Sequence, residues 1–94
     1  MNMNTIENIL IQRGYNQEDA ASVAADLGNV SDCLKAVLDK WLLDGSESDY
    51  EAEGYTILGL KEQFEMTYPA ALLSIDWIIK EPDEAVECIK RGIR

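Results

Sequence analysis

Seven apolar residues between Val30 and Leu42 constrain the fold more than any other feature of the chain. Val30, Cys33, Leu34, Val37, Leu38, Trp41 and Leu42 lie at offsets 0, 3, 4, 7, 8, 11 and 12. At 3.6 residues per turn these positions fall on one continuous stripe, so the stretch predicts a helix with one face to bury. Gly28 stops a preceding helix, and Asn29 or Ser31 can cap the new one, which runs to about Leu43.

A near copy of this turn-and-helix pattern stands further along the chain. Adding 52 to the numbers places Ala20 on Leu72, Val23 on Ile75, Leu27 on Ile79, Leu34 on Val86, Val37 on Ile89 and Trp41 on Ile93. The copy is imperfect: Ala25 becomes Trp77, Asp26 becomes Ile78 and Leu38 becomes Lys90. In the first helix the match slips by about one residue. Any two amphipathic helix pairs with equal turns would align this way, so the pattern implies similar units without requiring a duplication.

The remaining segments read as short helices with local start and stop signals. Thr5 can cap the first, with Asn2 and Asn4 as competing caps; Ile6, Ile9 and Leu10 form its inner face. Gly14 ends it at a position that calls for positive φ. Asn16 caps the second helix, with Glu18 and Asp19 at the positive end of its dipole. Ala20, Ala21, Val23, Ala24 and Leu27 are its expected inner side. Thr56 caps a helix carrying Ile57, Leu58, Leu60 and Phe64. Thr67 caps the next, with Pro69 in its first turn, where a missing N–H costs nothing. That helix is apolar nearly all round and is the expected central one. Pro82 opens the last helix, with Ala85, Val86, Ile89 and Ile93 inward and Lys90, Arg91 and Arg94 at its C-terminal end. The stretch Asp44–Gly54 holds five acidic residues and no basic one. It reads as a solvated linker, with a possible helical turn over Ser48–Ala52.

The expectation is therefore an all-α fold of five to six short helices, arranged as two similar three-helix units packed together. It is one compact domain over 1–94, with a helical unit at 5–43, an acidic linker at 44–54 and a helical unit at 55–94. A hydrophobic fraction of 47% in 94 residues is enough for a core. The richest apolar stretch, Tyr68–Ile79, is interrupted by Ser74 and Asp76, so no membrane span is expected, and Met1–Thr5 lacks a basic leader. Cytoplasmic location follows as the expectation, with Cys33 and Cys88 as free, buried, reduced thiols.

The first unit, over about Ile6–Leu43, resembles the ubiquitin-associated (UBA) family of three-helix domains. Gly14-Tyr15 after the first helix, Asn29-Val30 at the second turn, and Cys33, Leu34, Val37 and Leu38 in the third helix carry the resemblance. In that family a Met-Gly-Phe/Tyr loop and the end of the third helix form an apolar patch for ubiquitin. The resemblance implies Tyr15 and Leu42 for such a patch. Here the loop is Arg13-Gly14-Tyr15, without the methionine, and the segment between the turns is one residue shorter than usual. Pro82, Ala85, Val86 and Ile89 look like a degenerate second third helix, but Glu65-Met66-Thr67 lacks the glycine.

With 18 acidic and 8 basic residues, the chain carries a net charge of −10. That field repels phosphate backbones and favours solubility or a basic partner. The segment Leu58–Tyr68 also has helix-turn-helix spacing, but its second helix displays Leu72, Leu73, Trp77 and Ile78, with only Lys80 for a phosphate. An acidic mimic of nucleic acid would use Asp44, Glu47, Asp49, Glu51 and Glu53. There is no histidine, phosphate loop or nucleophile elbow, the cysteines have no base nearby, and neither cofactor nor metal has a ligand set. The reading is a non-catalytic protein-interaction module or adaptor that uses an apolar helical surface to bind another protein or a second copy of itself. Tyr15, Leu38, Trp41, Leu42, Trp77 and Ile78 are the candidate contact residues.

Overall fold

Side-chain caps decide where three of the helices begin. In the computed structural model, which describes residues 3–92, Asn16 precedes a helix over Gln17–Leu27 and its side chain accepts from the Asp19 N–H at 2.8 Å. The Asn16 amide also donates to the Asp19 carboxylate at 3.0 Å, a reciprocal closure of the first turn. Thr56 and Thr67 do the same for helices over Ile57–Gln63 and Tyr68–Lys80, accepting from Gly59 N–H at 3.0 Å and Ala70 N–H at 3.3 Å. In chain order the described residues form α1 (Met3–Gln12), α2 (Gln17–Leu27), α3 (Asp32–Asp44), β1 (Glu51–Ala52), β2 (Tyr55–Thr56), α4 (Ile57–Gln63), α5 (Tyr68–Lys80) and α6 (Pro82–Lys90). The protein is mostly helical, and among the described residues a small two-stranded sheet pairs β1 with β2.

The chain divides into two compact units, Met1–Val30 and Ser31–Arg94. In the first, α1 packs on α2. Ile6, Leu10, Ala20, Ala24 and Leu27 are buried, Val23 is half-buried and Ala21 is exposed. Gly14, at φ +105°, ends α1 in a Schellman turn: its N–H reaches Ile11 C=O, and the Tyr15 N–H reaches Leu10 C=O, both at 3.1 Å. In the second unit α5 is central, packing on α3, α4 and α6. None of its residues before Lys80 is exposed. The boundary at Val30 and Ser31 groups α3 with the later helices, whereas sequence composition changes only at Asp44.

Several local expectations need correction. α1 begins at Met3, so Thr5 lies inside it; Asn2, Ile93 and Arg94 lie outside the described residues. α3 begins at Asp32, and its buried face is narrower than the full stripe: Leu34, Leu38, Trp41 and Leu42 are buried, Val37 is half-buried and Cys33 is exposed. Cys33 is thus a surface thiol, while Cys88 is half-buried, and both are free. Leu58, on α4, is exposed rather than inward.

The acidic segment is not a loose linker with a helical turn. It carries a two-residue antiparallel ladder, Glu51 opposite Thr56 and Ala52 opposite Tyr55. Glu53 and Gly54 form its turn with φ of +52° and +83°, both central residues left-handed as a type I′ hairpin requires. The acids before it are used within the chain. Asp44 accepts from Ser46 N–H at 2.9 Å. Asp49 accepts from Tyr50 N–H at 2.9 Å and from Leu58 N–H at 3.1 Å. Glu47 pairs with Lys61. Ser48 C=O accepts from the buried Tyr68 hydroxyl at 2.6 Å.

The two helical triplets repeat at an offset of 51, one less than the sequence match of 52. At this offset Gly14 pairs with Glu65, and both have positive φ. Met66 N–H returns to Lys61 C=O at 2.9 Å, as Tyr15 N–H returns to Leu10. The caps Asn16 and Thr67 then coincide. So do the buried pairs Ala20 and Ala71, Ala24 and Ile75, Leu27 and Ile78, Leu34 and Ala85, and Leu38 and Ile89. The sequence match of 52 is drawn to large apolar residues, whereas backbone turns and burial select 51.

Candidate functional site

Four of the six candidate contact residues belong to the core. Leu38, Trp41 and Leu42 on α3 are buried, and so is Ile78 on α5. Trp41 stacks on Tyr68, with ring centroids 5.9 Å apart and planes inclined by 22°. The width of the α3 stripe therefore serves packing. Trp77 is half-buried. Tyr15 is also half-buried, and its hydroxyl is buried with no hydrogen-bond partner. Of the pair that the UBA resemblance implies, Leu42 is thus inside and Tyr15 holds its polar tip inward. Among the described residues the large apolar side chains that are exposed are Ile11, Leu43 and Leu58. They lie on three different helices, the scattered exposure usual for a protein surface.

A surface concavity lies instead between the hairpin turn and α6. A shallow cleft of about 370 Å³ is lined by Glu53, Pro82, Asp83, Val86, Glu87 and Lys90. Each lining residue has a local cause. The left-handed turn places Glu53 at the hairpin tip. Pro82 starts α6 with its fixed φ, and Asp83 sits in the first turn, where the helix dipole favours a carboxylate. Val86 and Lys90 follow one and two turns on. Glu87 lies on the same stretch and pairs with Arg91 at 2.8 Å in an exposed i,i+4 ion pair. Three carboxylates, those of Glu53, Asp83 and Glu87, thus line the cleft with Pro82, Val86 and the Lys90 ammonium, and the Glu87 carboxylate is shared with Arg91. The sequence reading assigned Glu53 to a linker and singled out no residue of the cleft as a contact. The Glu53-Gly54 dipeptide, a turn signal between short extended runs, was the available clue.

The second polar feature is internal. Asp76 is the buried charged side chain among the described residues. Its Oδ1 accepts from the Ser31 N–H and from the Ser31 hydroxyl, both at 2.8 Å, and its Oδ2 pairs with Lys80 Nζ at 2.8 Å. Burial pushes the carboxyl upward, but the Lys80 ammonium and the two Ser31 bonds outweigh it and hold the group below its ordinary value of 3.8. Tyr68 moves the other way, up to about 12, because burial and then Glu47 and Asp49 disfavour a phenolate. Hydrogen bonding with Cys33 raises Tyr50.

These arrangements bear on the alternative chemistries. α5, as a recognition helix, offers Lys80 as its basic side chain, and that ammonium is held by Asp76. Of the acidic run, Asp44, Glu47 and Asp49 bond within the chain, while Glu51 and Glu53 are exposed. Among the described residues no cluster of three His, Cys, Asp or Glu is placed to hold a metal ion. No described helix is long and apolar enough to cross a membrane. No family model, curated protein or solved structure matches this chain.

Proposed function

We propose that this protein is a non-catalytic interaction module, an adaptor whose cleft between the hairpin turn and α6 takes a basic segment of another protein. The observation that carries this reading is the cleft lining, in which the carboxylates Glu53, Asp83 and Glu87 outnumber the single ammonium of Lys90 beside Pro82 and Val86. An arginine or lysine stem can lie against Pro82 and Val86 while its charge meets Glu53 and Asp83. The charge of the whole chain supports a partner of opposite sign: residues 31–94 hold 14 of the 18 acidic residues and 7 of the 8 basic ones. Two copies, each at −10, repel one another, which favours a different partner over a homodimer. Burial of Leu38, Trp41, Leu42 and Ile78 moves the proposed contact from an apolar helical stripe to this acidic surface.

Titration with an arginine- and leucine-containing peptide, followed by calorimetry at low and moderate salt, tests the proposal. Rim ion pairs contribute about 0.2–1 kcal/mol each, so the triple variant E53Q/D83N/E87Q is expected to bind roughly tenfold more weakly. The control variant E18Q/D19N/D26N removes the same charge from α2 and is expected to bind nearly as the wild type. Equal losses in both variants would reduce the interaction to the overall field of the molecule and would remove the cleft as its site.

A further inference from the structure

Given the reading of the cleft as a contact for a basic segment, we propose that it selects a segment of both charge signs, with Lys90 as the residue that decides specificity. An arginine or lysine meets Glu53 and Asp83, and an acidic side chain of the same segment meets Lys90. Five lining residues, Pro82, Asp83, Val86, Glu87 and Lys90, come from one face of α6 and run from its first residue to its last. Asp83 and Lys90 are seven residues apart, which is about 10 Å along the helix axis. Along α6 the cleft therefore has an acid near one end and an ammonium at the other.

Pairing within the chain leaves both groups open. Glu87, three residues before Lys90, is within reach on the same helix, but its carboxylate is taken by Arg91 at 2.8 Å. Among the described residues Glu53, Asp83 and Lys90 form no ion pair. The repeat supplies the comparison. At the offset of 51, Asp83 corresponds to Asp32, Val86 to Lys35 and Lys90 to Asp39. Asp32 is paired with Lys35 at 3.0 Å. α6 has valine where that lysine stands, so its first-turn acid is left open with an apolar side chain beside it in the cleft. Both helices have a dipole that favours an acid in the first turn, so the dipole does not account for this difference. The signs then decide what fits. A wholly basic segment sets a like charge against Lys90, and a wholly acidic one meets Glu53 and Asp83. In a polyproline II-type chain, residues three apart lie on one side at about 9 Å. An Arg-Pro-Leu-Glu segment carries its two charges at that separation, and a cleft of about 370 Å³, at the small end for ligand sites, suits so short a stretch.

NMR titration of the full chain with acetyl-Ala-Arg-Pro-Leu-Glu-Ala-amide, and with the same peptide carrying Gln for Glu, tests this at moderate salt. The wild type is expected to bind the Glu peptide about threefold more tightly than the Gln peptide, the size of one exposed ion pair. K90Q should bring the two peptides to equal affinity, and K90E should reverse their order. Lys90 is exposed at the end of α6, so neither variant disturbs the core. K40E makes the same charge change at an exposed lysine of α3 and is expected to keep the wild-type order. Equal binding of both peptides to the wild type, or a reversal in K40E as large as in K90E, would overturn selection by Lys90 while leaving the basic-segment reading in place. Binding of neither peptide would overturn both.

Discussion

The corners Leu27–Asp32 and Ile78–Asp83 occupy the same place in the two helical triplets, and they start the following helix by different means. At the offset of 51, Ser31 corresponds to Pro82 and Ala25 to Asp76. The second corner is local. Pro82 has no N–H to satisfy, its φ suits a first turn, and Asp83 and Glu84 meet the helix dipole. The first corner is not local. α3 is preceded by a serine whose N–H and hydroxyl bond to a carboxylate on α5. The contrast teaches that equal apolar patterns do not imply equal stabilisation. One helix start is written in adjacent residues, and the other depends on a carboxylate supplied from far along the chain.

The largest expected effect comes from removing that carboxylate. D76A leaves Ser31 without its acceptor and takes the carboxylate away from Lys80, and should cost about 2–3 kcal/mol in urea unfolding. Lys80 is half exposed and rehydrates, so most of the loss belongs to Ser31. A change well below 1 kcal/mol would break the comparison, since both corners would then be locally held.

Acid titration probes the same corner. The folded carboxyl lies below its ordinary value of 3.8, so its stabilisation is complete above that pH and is lost as pH falls through the folded value. Wild type should therefore lose stability below about pH 4 more steeply than D76N, measured as unfolding free energy against pH. Parallel curves would show that Asp76 carries no linkage.

The turns that end α1 and α4 allow a reciprocal test. Gly14 and Glu65 stand at equivalent left-handed positions, one with the residue that tolerates it and one without. G14A should destabilise by about 1 kcal/mol through backbone strain alone, since a Cβ there meets nothing within 4 Å. E65G should stabilise by about 0.5–1 kcal/mol. Thermal unfolding of both variants reads the pair, and a loss in E65G would mean that the Glu65 side chain matters more than its φ.

The smallest effect is expected at the local corner. P82A should cost about 0.5 kcal/mol, through a more flexible unfolded chain, with no change in the α3 amides. Disturbance of α3 in P82A would show that the two corners are coupled.

Much of the backbone was legible in the chain. Asn16, Thr56, Thr67, Pro82 and Gly14 act as start and stop signals because a cap or a left-handed turn is satisfied within four or five residues. The apolar character of Tyr68–Ile79 identified the central helix of the second unit. The candidate contact residues fared differently. Trp41 and Ile78 are expected from the sequence as contacts for a partner, but Trp41 stacks on Tyr68 and Ile78 is fully buried. A stripe records which residues avoid water, and core and interface look alike in it.

The helical class and most helix ends follow from residues close together in the chain. Tertiary structure decided what distant residues do for one another. It folded the acidic run into a hairpin by bonding Asp49 to Leu58 and Ser48 to Tyr68. It placed Glu53 beside Pro82 and Val86 in one cleft. It also converted Asp76, which reads as an interruption of an apolar helix, into the anchor of α3. A buried carboxylate is tolerable only where donors converge on it, and no local pattern states where those donors will come from.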